Sequence, residues 1–192
     1  MISRRALMAS LAAAPAAAAG AAAAPPSTGG RRRFPNPTLL TQDNERVAFY
    51  DDLMKGKIVL VNFFYVECTG ICPAATANLL KVQELLGERV GRDIFIYSIT
   101  LKPLEDRPAQ LKMYQEMHNI KPGWTLLTGS AEDCELLRRR LGFADIDPVV
   151  DRDTANHIGV VLIGNERIDR WMACPVQTEP TQIVRSVSWM GR

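Results

Sequence analysis

Ile58-Val59-Leu60-Val61-Asn62-Phe63-Phe64-Tyr65 runs almost at once into Cys68-Thr69-Gly70-Ile71-Cys72-Pro73. The first stretch is a continuous apolar run of strand length, as expected of a strand covered on both faces of a sheet. The second places two cysteines four apart at the start of a helical pattern. Side chains at i and i+4 share one helix face. Two thiols so placed converge on one soft metal ion or oxidise to a disulfide. Thiolate is the species that does either, and a helix N-terminus lowers a thiol pKa through its unpaired N–H groups and its dipole.

The strands and helices alternate outward from that junction. Thr38–Thr41 and Arg46–Tyr50 flank Gln42-Asp43-Asn44-Glu45 and predict a hairpin. Residues 73–87 predict a helix with Ala77, Leu80, Val82, Leu85 and Leu86 as its apolar positions, ended by Gly87. Ile94–Ile99 predicts a second buried strand, and 106–118 a helix with Leu111, Met113, Tyr114 and Met117 inward. Trp124–Leu127 predicts a short strand. Ser130 predicts an N-cap for a helix through Leu141, with Glu132 and Asp133 in its first turn. His157–Ile163 predicts a third core strand, Gly164-Asn165 a turn, Ile168–Met172 a strand, and 179–189 a last helix. The alternation predicts an α/β fold with a central mixed sheet flanked by helices.

Length and charge bound the rest. The chain has 192 residues, one ordinary domain plus a leader. Two of its 23 basic residues, Arg4 and Arg5, precede residue 25, leaving 21 against 21 acidic. A chain so balanced has no excess positive field for nucleic acid, so no nucleic-acid partner is expected. Residues 1–24, with Ser3-Arg4-Arg5-Ala6-Leu7 ahead of an Ala-rich run, read as an export signal resembling the twin-arginine type, with ordinary secretory export as the other route. The run is broken by Pro15 and Gly20, so membrane attachment is expected only through a partner or an uncleaved leader. Residues 25–37 read as a linker and 38–192 as the functional domain. Export places the chain in the bacterial periplasm, where disulfides persist.

His157 opens an apolar strand 85 residues after Cys72 and is one of two histidines. A lone strand histidine is usually structural. With Cys68 and Cys72 it would complete a Cys/Cys/His set fit for Cu(I), Cu(II) or Zn(II). His118, in Met117-His118-Asn119, reads as solvated or as favouring a helix C-terminus. Cys134 reads as packing. Cys174, before Pro175, is placed to resolve a mixed disulfide or to pair with Cys134. Met113 and Met117 read as core side chains, with a methionine copper path as the minor reading.

The chain resembles the Sco/SenC family of copper-binding, thioredoxin-like proteins. The resemblance rests on Val61–Tyr65 with Cys68-x-x-x-Cys72-Pro73; on Ser98–Leu101 with Pro103, Asp106, Pro108, Leu111 and Tyr114; on Gly123-Trp124-Thr125-Leu126-Leu127-Thr128-Gly129; and on His157 before Val160–Ile163. It implies a thioredoxin-like fold with an N-terminal β-hairpin. It implies copper, as Cu(I) or Cu(II), on Cys68, Cys72 and His157. The partner it implies is the copper subunit of cytochrome c oxidase or another periplasmic copper acceptor. Two functions follow. One is a metallochaperone delivering copper. The other is a thiol–disulfide oxidoreductase, with Cys68 and Cys72 as its catalytic redox pair, reducing partner cysteines for copper insertion. The Thr-x-x-Cys arrangement of a peroxidase is not found. One departure stands out: Lys102 occupies the position of a family Asp before Pro103, which brings a charge that disfavours a cationic metal and favours thiolates.

Overall fold

Seven strands pair into one mixed sheet in the computed structural model, which describes residues 33–152 and 159–191. In chain order the strands are β1 (Thr38–Thr41), β2 (Arg46–Ala48), β3 (Ile58–Phe64), β4 (Ile94–Thr100), β5 (Trp124–Thr128), β6 (Val160–Asn165) and β7 (Arg170–Pro175). Their spatial order is β2-β1-β5-β4-β3-β6-β7. β3, β4 and β5 run parallel, and β1–β2, β1–β5, β3–β6 and β6–β7 pair antiparallel. The helices are α1 (Cys72–Leu86), α2 (Pro108–Met117), α3 (Ala131–Arg140), α4 (Pro148–Asp151) and α5 (Pro180–Met190). This is a thioredoxin-like α/β sandwich with the hairpin β1–β2 added at one edge.

The apolar run of β3 is buried at every position because the sheet is covered on both sides. Ile58, Leu60 and Phe64 face α1, α2 and α5, whereas Val59, Val61 and Phe63 face α3 and the short helical turn Phe49–Met54. β4 alternates in register with it, Ile94 and Ile96 on the first side and Tyr97 and Ile99 on the second. The polar exception, Asn62, is satisfied inside the sheet. Ser98 Oγ donates to Asn62 Oδ1 at 2.6 Å, and Trp124 Nε1 donates to Ser98 Oγ at 2.9 Å. Paired buried polar groups of this kind cost little and fix the register.

The glycines of Gly123-Trp124-Thr125-Leu126-Leu127-Thr128-Gly129 have steric reasons. Gly123 has φ +88°, and a β-carbon there would run into the backbone of Gly91. A β-carbon on Gly129 would press on Leu39 of β1. Ser130 caps α3 as expected, its hydroxyl accepting the Asp133 N–H at 3.0 Å.

Some helix faces differ from their sequence reading. α1 buries Cys72, Ala75, Thr76, Leu79, Val82, Gln83 and Leu86, while Ala77 and Leu85 face water. Thr76 and Gln83 can turn inward because partners wait for them: Tyr114 Oη at 2.7 Å for Thr76, and the Lys121 backbone on both faces of the Gln83 amide. α2 buries Leu111 and Tyr114, but Met113 and Met117 lie outward. β6 continues through Gly164 and Asn165, the turn falls on Glu166–Ile168, and β7 starts at Arg170. The leader lies outside the described residues. Phe34, in the 25–37 stretch, is buried edge-on against Trp171, with centroids 4.7 Å apart.

Candidate metal and thiol centre

β3 ends at Phe64, and the chain turns through Tyr65–Ile71 into α1. The turn closes on a Cys68 N–H to Tyr65 O bond of 3.3 Å, and α1 is engaged by Ala75 N–H donating to Ile71 O at 2.9 Å. Pro73 sits in the first turn, where no intrahelical N–H is needed. Cys68 and Cys72 are both buried free thiols.

The two sulfurs are hydrogen-bonded to one another and differ in acidity. Burial alone would raise the Cys68 thiol. The Cys72 thiol, the backbone N–H groups of Cys72 and Gly70 and the Tyr65 side chain donate to it and outweigh burial, holding it below its ordinary 9.0. Cys72 goes the other way. Burial, its bond to Cys68 and the Cys68 charge push it up to about 12. A more acidic and a less acidic sulfur therefore sit side by side where the chain enters α1. Cys68 lies in the turn ahead of α1 and only Cys72 is on the helix, so the expected shared helix face is replaced by a turn that folds one sulfur onto the other. Two adjacent thiolates still fit a soft ion such as Cu(I).

Two residues that spacing alone does not single out shape this pocket. Asp106 is buried just before α2. Its Oδ2 accepts the Val66 N–H at 3.1 Å and the Thr100 hydroxyl at 2.5 Å, tying the cysteine turn to the end of β4. Ile71 packs over Gly159, filling the space a β-carbon there would need. Asp106 carried a sequence signal only through the resemblance, and the Ile71–Gly159 contact carried none, because it joins residues 88 apart in the chain.

Lys102 does approach the centre, through Tyr65. Its ammonium lies 4.6 Å from the Tyr65 ring centroid and 3.5 Å from Glu105, so its charge is partly matched. His157 lies outside the described residues. Among the described residues no three His, Cys, Asp or Glu side chains cluster as metal ligands. Cys134 packs on the α3 side of the sheet and Cys174 against the α1 side, so the sheet separates them and the expected alternative of a Cys134–Cys174 pair is not met. His118 is half-buried at the end of α2 against the Tyr114 ring, 4.2 Å between centroids, and burial lowers its pKa rather than leaving it a solvated cation.

The sequence matches the protein family described as SCO1/SenC over residues 29–190. The SCO1 protein homolog of Bacillus subtilis (strain 168) is 31% identical over 96 residues, covering 50% of this chain and 48% of that protein. The chain thus spans about half the length of the curated relatives it matches. The backbone is similar to Bradyrhizobium japonicum ScoI with copper bound, with a TM-score of 0.65 and 20% identity over 81% of this chain and 99% of that one. It is similar as well to BsSco, described with a disulfide switch and as a member of the Sco family of cytochrome c oxidase assembly proteins. There the TM-score is 0.65 and the identity 22%, over 81% of this chain and 91% of that one. At such identities the structural likeness establishes the fold.

Proposed function

The chain belongs to the SCO1/SenC family, and from that premise we propose that it is an exported copper carrier. It takes copper on Cys68, Cys72 and His157 and passes it to a copper centre, that of cytochrome c oxidase or another periplasmic acceptor. The observation that carries this reading is the hydrogen-bonded Cys68–Cys72 pair at the mouth of α1. Copper bound in a related ScoI and the oxidase-assembly role of BsSco support the metal and the client.

The residues divide the work. Cys68, the more acidic thiol, offers the first thiolate. Cys72 adds the second once its proton leaves. Cu(I) is satisfied by the two sulfurs, whereas Cu(II) calls for the imidazole as well. His157 is the third ligand that the family resemblance implies, two residues before Gly159 in the chain. Release is a ligand exchange, with no turnover of the carrier itself.

A second reading, thiol–disulfide exchange, draws on the same asymmetry. A thiol held low beside one held high is the arrangement of an attacking and a resolving cysteine. The disulfide switch described for BsSco favours it.

The test is anaerobic metal binding by the reduced mature chain. The expected result is one Cu(I) per chain, lost in Cys68→Ala and Cys72→Ala, with Cu(II) binding weakened in His157→Ala. Full Cu(I) stoichiometry and affinity in either cysteine variant would overturn the carrier reading. Normal disulfide reduction by His157→Ala with no copper in wild type would favour the reductase.

A further inference from the structure

Methionine is a natural core residue, and the spacing of Met113 and Met117 predicts an inward pair. The structure puts them in water instead, 61% and 76% exposed, while Leu111 and Tyr114 fill the core. They stand one turn apart on one face of α2, with Cβ atoms about 5–6 Å apart. Their neighbours on that face are Ala109, Gln110 and Glu116, all exposed.

Two apolar side chains are too few for a protein-docking patch, which takes a few hundred Å² of contiguous apolar surface. What the pair offers is two thioethers. Thioether sulfur is soft and uncharged, takes no proton near neutral pH, and selects Cu(I) over the hard divalent cations. The electrostatics on α2 suit a cation. Lys112, its one basic residue, is drawn away to Asp43 Oδ1 at 2.7 Å and Gln115 Oε1 at 3.1 Å, and Glu116 is exposed beside the methionines. His118 is turned onto Tyr114 and stays outside the pair.

We propose that Met113 and Met117 form a second, surface Cu(I) site, bound through the two thioether sulfurs. The site goes beyond the cysteine centre and does not depend on it. The helix that carries it is joined to α1 through Tyr114, which touches Phe64 (centroids 5.2 Å apart) and bonds Thr76, one turn into the helix that begins at Cys72. Neutral thioethers hold the ion more loosely than thiolates, so transfer toward the cysteines runs downhill and moves no electrons.

The experiment uses the mature chain with Cys68→Ser and Cys72→Ser, labelled with methyl-¹³C methionine and titrated anaerobically with Ag(I), a redox-inert mimic, and then with Cu(I). The Met113 and Met117 methyl signals should shift together and saturate at one ion per chain. The fully buried Met54 and Met190 signals should stay in place. Met113→Leu or Met117→Leu, which keeps helix propensity, should weaken binding at least about tenfold by removing one arm of a chelate. The proposal is overturned if the two methyl signals do not respond. It is overturned equally if they respond independently, each unaffected by loss of the other, or if the ion saturates elsewhere in the chain first.

Discussion

Ile71, the residue between the two cysteines that points inward, occupies the volume a side chain on Gly159 would need. The contact is made by the tip of the isoleucine, and Val176 stands in ordinary contact with the same position, 3.8 Å from where a β-carbon would lie. Gly159→Ala should therefore fold with a loss of about 1–3 kcal/mol from overpacking, because Ile71 must move. Ile71→Val, which deletes the clashing methyl group, should recover most of that loss when combined with it. Urea unfolding of the four proteins of this cycle measures the coupling. Additive losses would mean that the two positions do not share the space.

The thiol asymmetry makes a chemical prediction. With Cys68 held low and Cys72 raised to about 12, the apo, reduced protein should be alkylated by iodoacetamide at Cys68 at least about tenfold faster than at Cys72 near neutral pH. In Cys68→Ser the neighbouring charge is gone, so Cys72 should titrate lower than it does in wild type. Peptide mapping after timed quenching reads both rates. Equal labelling of the two sulfurs would contradict the hydrogen-bond arrangement at the turn.

Much of this architecture is legible in the sequence. Apolar runs at 58–64 and 94–99, each with a single polar residue (Asn62, Ser98), tell of a doubly covered sheet, Ser130 announces its helix, and the Cys68–Cys72 spacing announces the centre. The inward faces of the two helices beside that centre were harder to read. On α1, burial follows Thr76 and Gln83 in place of Ala77 and Leu85, because distant partners satisfy the polar groups. On α2, hydrophobicity gives no means of separating Met113 from Leu111, since ten residues hold too few turns to define a stripe. Asp106 sits ahead of α2 rather than in it because its carboxylate is spent on Val66 and Thr100.

Asp151 predicts an acid-sensitive joint. Arg138 grips its carboxylate with Nη1 at 2.5 Å and Nη2 at 2.7 Å, and the Asp145 N–H adds a third donor at 2.7 Å. Those bonds hold its pKa well below the ordinary 3.8. A depressed carboxylate contributes stability above its unfolded pKa and loses it as pH falls toward the folded value. Asp151→Asn should thus cost roughly 1–3 kcal/mol near neutrality, by leaving Arg138 with Glu135 as its one remaining carboxylate partner among the described residues. The difference from wild type should shrink as pH drops below 3.8. Urea midpoints from pH 6 to pH 2 decide it, and a constant difference over that range would rule out the linkage.

Asp106 predicts the opposite slope. Burial raises its pKa above 3.8, more than the Thr100 and Val66 hydrogen bonds lower it. As pH rises past 3.8 the unfolded chain ionises first, so the folded state loses relative stability until Asp106 itself ionises. Asparagine keeps one oxygen for the Val66 N–H and the Thr100 hydroxyl and has no proton to lose in this range. Asp106→Asn should therefore gain on wild type as pH rises through the acid range, by the same urea series. Thr100→Val removes one of the donors that stabilise the charged carboxylate, so it should steepen the wild-type slope. If Asp106→Asn instead loses ground with rising pH, the carboxylate is stabilised as an anion in the fold, and its tie to Val66, two residues before Cys68, is a charged one.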